Sequence, residues 1–171
     1  MAQAYVSLGS NVRAEANICS ATQCLQARFK QLISSDIYQS PAEGFDGEPF
    51  LNSVVGFETD LDIAKLRAFL RTLETIHGRE RGGDKFAPRT LDLDLLLYDD
   101  VVLPPGPDGN LPHTDILKYP FVLYPLAEIA GERQHPVLKH RFSQIARHSQ
   151  LLRNRLIMVD LDCRKRPQPD A

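Results

Sequence analysis

Three things are scarce in this chain, and each scarcity excludes something. Charge of one sign is missing: 20 Lys and Arg stand against 22 Asp and Glu, a formal net charge of −2. There is therefore no global basic field to hold nucleic acid, and no nucleic-acid partner is expected. Long apolar runs are missing too, and nothing approaches the roughly 20 residues that cross a bilayer. The opening Met-Ala-Gln-Ala-Tyr has neither a basic n-region nor an apolar h-region, so no leader and no membrane partner are expected. Cysteine is rare and odd in number, with Cys19, Cys24 and Cys163 only. None has metal-ligand spacing, and Cys19 and Cys24 lie five apart on a helical stretch, poor geometry for sharing one metal. They read as small core or surface fillers in a cytoplasmic, reducing setting.

What remains is ordinary globular composition, 43% hydrophobic and 25% charged over 171 residues. That length fits one domain with a real core, placed at 1–161, followed by a basic, proline-containing tail at 162–171 expected to be disordered. No internal repeat or linker is visible.

The chain is organised around Ala87-Pro88-Arg89-Thr90-Leu91-Asp92-Leu93-Asp94-Leu95-Leu96-Leu97-Tyr98. From Leu91 to Leu97 every odd position is leucine, which predicts a strand with one apolar face. Thr90, Asp92, Asp94 and Leu96 fall on the other. Residues two apart on a strand are about 7 Å apart on the same side, so two carboxylates aim into one space. The same alternation also fits a solvated acidic face with no function. What favours chemistry is the preceding segment from Gly78 to Arg89, glycine-rich, with four basic and two acidic residues. Basic side chains beside paired acids suit a divalent metal and a polyphosphate together.

Ahead of that strand, Ala2 to Ser10 reads as a strand with Ala4, Val6 and Leu8 on one face. Ser10 or Asn11 can cap the helix that follows, predicted over 12–32 with Ile18, Ala21, Leu25, Phe29 and Leu32 as its core stripe. Ile33 to Ser40 is a second strand, stopped by Pro41, and Phe50 to Glu58 a third. On it, Asn52 offers donors and an acceptor suited to a flat heterocycle edge, or caps its own loop. Thr59-Asp60 opens a second helix through Ile63, Leu66, Leu70, Leu73 and His77, ended by Gly78. His77 reads as a satisfied helix-end residue. Glu74 has Arg71 and Lys65 as surface partners, or meets a ligand. After the acidic strand, Asp99 to Leu103 reads as the return arm of a hairpin. A Pro/Gly loop leads to Pro112-His113, where the imidazole can donate to a phosphate, and to a short apolar segment, Tyr119 to Leu126. A helix over 141–152 and a short strand over 155–161 close the chain. The sum is an α+β domain, helices on a mainly antiparallel sheet.

Four landmarks in this order resemble one family, the 6-hydroxymethyl-7,8-dihydropterin pyrophosphokinases of folate biosynthesis. They are Gly9-Ser10-Asn11; Phe50-Leu51-Asn52; Pro88-Arg89-Thr90-Leu91-Asp92-Leu93-Asp94; and Pro112-His113 before Phe121-Val122-Leu123-Tyr124-Pro125-Leu126. The third string is highly specific, the first weak alone, and the resemblance covers about residues 4 to 130. It implies a ferredoxin-like fold with helices on both faces of the sheet. It also implies an ATP-dependent diphosphokinase that moves the terminal two phosphoryl groups of ATP onto the pterin hydroxymethyl oxygen, releasing AMP. Asp92 and Asp94 would hold two Mg²⁺ ions, with Asp92 also near the pterin. Arg81 and Arg89 would grip phosphates, Arg79 would line the basic loop, and Glu74 and His113 would contact the nucleotide. Ser40, Asn52 and Phe121 would build the pterin pocket, Phe121 stacking on the ring. The Gly82-Gly83 pair suits a loop closing over both substrates.

There are departures from the family pattern. Phe86-Ala87 stands where Trp-Gly is common, Tyr119-Pro120 where an Arg often precedes the stacking aromatic, and Arg71 where a polar residue, often Gln, is usual. An Arg often found upstream of the Pro-His has no counterpart. They motivate the alternative of a pterin- or nucleotide-binding paralogue with weak or no transfer. A nucleotidyltransferase pairs Gly-Ser with an acidic strand about a dozen residues on. Here Asp92 follows Ser10 by 82 residues, which argues against it.

Overall fold

The computed structural model describes residues 1–42, 46–78 and 90–165. β1 (Ala2–Ser10) alternates as expected, with Ala4, Val6 and Leu8 in the larger core and Tyr5 on the opposite face. β1 lies between β4 (Phe50–Thr59) and β5 (Asp92–Tyr98), antiparallel to both. β3 (Ile37–Ser40) pairs the far side of β4, and β6 (Ile157–Val159) adds an outer edge, giving the order β5-β1-β4-β3-β6. A short β2 (Ile33–Ser34) also pairs β4. With β2 and β3 taken as one bent strand, a helix between β1 and β3 and another between β4 and β5 make the ferredoxin-like, wholly antiparallel arrangement. The α+β expectation therefore holds.

One face of the sheet carries α1 (Ala14–Arg28) and α2 (Ile63–Ile76); the other carries α3 (Pro120–Ala130), with α4 (Phe142–His148) packed on it. Most of the predicted stripes are buried: Ile18, Ala21, Leu25 and Phe29 on the first helical stretch, and Leu66, Leu70 and Leu73 on the second, while Leu32, Ile63 and His77 are half-buried. Phe29 stacks on Phe57 of β4, ring centroids 4.1 Å apart. α2 ends where Gly78 takes φ +84°, the left-handed conformation that favours glycine. His77 is satisfied at that end, Nδ1 within 2.7 Å of the Leu73 carbonyl and Nε2 within 3.0 Å of the Ser20 hydroxyl.

Several expectations are corrected. The leucine face of β5 does not run through Leu97. Val6 pairs Leu95 and Tyr5 pairs Leu97, so Leu96 is an inserted bulge residue. Leu93 and Leu95 pack toward α1 and α2, whereas Leu96 and Leu97 both pack toward α3. Ile33–Ser40 is broken at Ser35-Asp36, where Ser35 bonds Val54 twice, through its N–H (2.9 Å) and its hydroxyl (2.9 Å). Asp99 to Leu103 is not a hairpin arm. Asp99 turns at φ +46°, its carboxylate accepts the Gln3 N–H, and Leu103 forms an isolated bridge with Leu111 across the loop. The segment after Tyr119 is a full helix, begun by Pro120 at its first position. The first and fourth helices are shorter than the periodicity suggested. Neither Ser10 nor Asn11 caps α1: Arg13 at φ 43° precedes it with no side-chain cap.

The cysteines are not all unlinked fillers. Cys19 on α1 and Cys163, 144 residues later, form a disulfide with their Cα atoms 4.8 Å apart, and Cys24 is free. Asp162 to Lys165, read as the start of the tail, fold back onto α1, and Gln23 Nε2 donates to the Cys163 carbonyl at 2.8 Å. The cysteine argument for a reducing compartment loses its ground. The rest of the tail lies outside the described residues.

Candidate active site

The strand registers gather the site before any side chain is considered. Gly9 faces Asp92 on one side and Asn52 on the other; Asn52 faces Tyr38, and Ser7 faces Asp94. Since side chains alternate, Tyr38, Ser40, Asn52, Asp92 and Asp94 all point to the α3 side of the sheet. α3 brings Phe121 to the same side, and the 3-10 turn Thr114–Leu117 brings His113 and Asp115. Arg79, Arg81 and Arg89, with Gly82-Gly83 and Phe86-Ala87, lie outside the described residues.

Asn52 is 4% exposed and Ser40 3%, and their contact is specific. Asn52 Nδ2 donates to the Ser40 hydroxyl at 2.8 Å and to the Tyr38 carbonyl at 3.2 Å. Both amide hydrogens are thereby used, and Oδ1 lies over Gly9, where a Cβ would meet it at 3.6 Å. Phe121 stacks on Tyr119 with centroids 4.9 Å apart, and Lys118 Nζ sits 5.1 Å from the Tyr119 ring centre. The Tyr119 departure thus forms part of an aromatic wall.

Asp92 and Asp94 are half-buried at the head of β5. Asp94, His113 and Asp115 place ligand-type atoms within 4.8 Å of one another. Asp115 had no role in the sequence reading; the only signal was its place two residues after Pro112-His113. The backbone N–H of Asp115 donates to His113 Nδ1 at 3.1 Å. A neutral imidazole so held carries its proton on Nε2, which makes it a donor there. Carboxylate oxygens, without sulfur, fit a hard divalent cation such as Mg²⁺ that keeps positions for water and phosphate. His113, with Nδ1 occupied, fits a phosphate donor better than a metal ligand. Just ahead of Asp92, the Thr90 hydroxyl is buried with no partner among the described residues, while its carbonyl receives the Ser10 hydroxyl.

Glu74 is not a surface charge. It is 5% exposed, and its Oε1 accepts the Leu93 N–H at 2.9 Å. That carboxylate closes the outer edge of β5, the side away from β1. Asn11, expected at a helix cap, instead sends Nδ2 to the Glu48 carbonyl at 3.2 Å, tying the end of β1 to the loop before β4. Among the described residues no helix is long and apolar enough to cross a membrane.

Comparison with known proteins first places the class. Solved chains of Plasmodium falciparum HPPK-DHPS share the fold. The wild type matches with a TM-score of 0.65 and 12% identity over 85% of this chain. Another solved structure, of HPPK-DHPS in complex with substrates, matches with a TM-score of 0.66 and 12% identity over 86% of this chain. This chain spans under half of those longer chains, 44% and 45%. The fold is thus a ferredoxin-like α+β domain shared with them. Residues 5–131 match the family model for 7,8-dihydro-6-hydroxymethylpterin-pyrophosphokinase, and the chain belongs to that family of diphosphokinase enzymes. Similar curated proteins named 2-amino-4-hydroxy-6-hydroxymethyldihydropteridine pyrophosphokinase include that of Aquifex aeolicus, 34% identical, with 81% of this chain and 87% of the relative covered. That of Haemophilus influenzae is 30% identical, with 90% and 99% covered.

Proposed function

We propose that this chain transfers the pyrophosphoryl group of ATP to the hydroxymethyl oxygen of 6-hydroxymethyl-7,8-dihydropterin and releases AMP, a step of folate biosynthesis. The observation that carries the reading is the single sheet face on which Ser40, Asn52, Asp92 and Asp94 stand in register, the face that α3 with Phe121 covers. A flat ring would lie between Phe121 and that face, with its edge at Ser40 and Asn52. The hydroxymethyl oxygen would attack the β-phosphorus while the bond from it to the α-phosphate oxygen breaks. The hydroxyl proton would pass to solvent.

Such a transfer depends on alignment and charge neutralisation more than on a strong base. Two Mg²⁺ ions held by Asp92 and Asp94 would neutralise and align the phosphates. Arg81 and Arg89 would add bidentate contacts that Lys could not make as well. The Nε2–H of His113 would donate to a phosphate oxygen, and Arg79 would line the basic segment beside it. Glu74 would act at the nucleotide side through the strand edge it closes. ATP and the pterin would be its small-molecule partners.

The test mixes the chain with ATP, Mg²⁺ and the hydroxymethyl pterin and assays AMP. Turnover is expected in the unaltered chain and its loss, with fold retained, in Asp94→Ala. Near-normal turnover in that variant would remove the metal role, and ligand binding without AMP from the unaltered chain would leave a binding-only paralogue.

A further inference from the structure

α3 does more than cover the sheet. Glu128, two turns beyond Phe121 and on the same side of the helix, reaches across to β3. One carboxylate oxygen accepts the Asp36 N–H at 2.8 Å, at the break between β2 and β3. The other accepts the Tyr38 hydroxyl at 2.6 Å. Burial first, and Glu128 second, push the Tyr38 pKa far above its ordinary value, so the hydroxyl remains a donor. Tyr38 in turn gives its carbonyl to Asn52, and Ser40, two residues on, gives its hydroxyl. One side chain of α3 therefore fixes the strand that orients the Asn52 amide, while Phe121 rides on the same helix.

Resting on the proposed function, we infer that Glu128 is a positioning residue that, through Tyr38, sets the gap between Phe121 and the Asn52 amide and so tunes the site for a flat heterocycle. Glu128 touches neither reactant. Loss of its hydrogen bond from Tyr38 would loosen β3 against α3, and the ring-binding slot would feel the shift while the phosphate side at β5 would not. A misplacement on the order of 1 Å is enough to matter at such a site.

The test compares Glu128→Gln and Tyr38→Phe with the unaltered chain, measuring KM for the hydroxymethyl pterin, KM for ATP, and thermal midpoint. KM for the pterin is expected to rise roughly tenfold in both variants, with KM for ATP within about twofold. The side-chain amide resonances of Asn52 are expected to move in both without ligand. Unchanged pterin KM, or equal loss for both substrates, would overturn the inference, and a folded Tyr38→Phe keeps the test open if Glu128→Gln fails to fold. Failure of the unaltered chain to use the pterin at all would instead sink the function on which this rests.

Discussion

At single residues, the site is defined by which hydrogen-bonding capacity is already used. Asn52 could have read a heterocycle with both its donors and its acceptor; in the fold its two N–H groups are taken and the carbonyl oxygen lies over Gly9. Glu74 shows the reverse. Its carboxylate, which spacing along the helix offers to Arg71 or Lys65, is buried and accepts the Leu93 N–H at the edge of β5. Glu74→Ala would leave the Leu93 N–H without that acceptor, and the expected loss is about 1–3 kcal/mol of stability by urea unfolding. An unchanged midpoint would show that the edge is closed by other contacts.

At the scale of elements, the segment joining α3 to α4 carries the clearest pH sensitivity. His135 is 4% exposed, and its Nδ1 accepts the N–H groups of Val137 (3.2 Å) and Leu138 (3.1 Å). Burial lowers its pKa below the ordinary 6.5. The unfolded chain therefore binds a proton at this position before the folded one does. The stability due to the neutral ring is complete above about pH 6.5 and drains away as pH falls through the lower, folded-state value. Melting profiles from pH 7.5 to 5 should fall less steeply in His135→Asn than in the unaltered chain; parallel profiles would exclude this histidine as the source.

The same scale shows where reading the sequence works. Periodicity located β1, β4 and the buried stripes of α1 and α2 because each faces one core from one side, and the Pro-Arg-Thr-Leu-Asp-Leu-Asp string marked the acidic strand. It failed where a long-range contact intervenes. The bulge at Leu96 depends on pairing with β1, and α3 was hidden by two prolines, one at its first position and one in its interior, that read as breakers. Asp115 enters the cluster only because the turn after Pro112 folds it back beside Asp94.

Over the whole molecule, the bond between Cys19 and Cys163 is the contact no spacing rule could reveal, since its partners are 144 residues apart. In the chain-entropy account, closing so long a loop removes about 5 kcal/mol of unfolded-state freedom. Dithiothreitol should therefore lower the urea midpoint of the unaltered chain and leave that of Cys163→Ser where it is. Equal midpoints with and without reductant would mean that the link contributes nothing.

A covalent ring that encloses nearly every element also changes what a single backbone cut can do. If a protease severs one peptide bond between the two bridged positions, the halves stay joined, migrate together until a thiol is added, and keep the pairing of β1 with β4 and β5 within one covalent body.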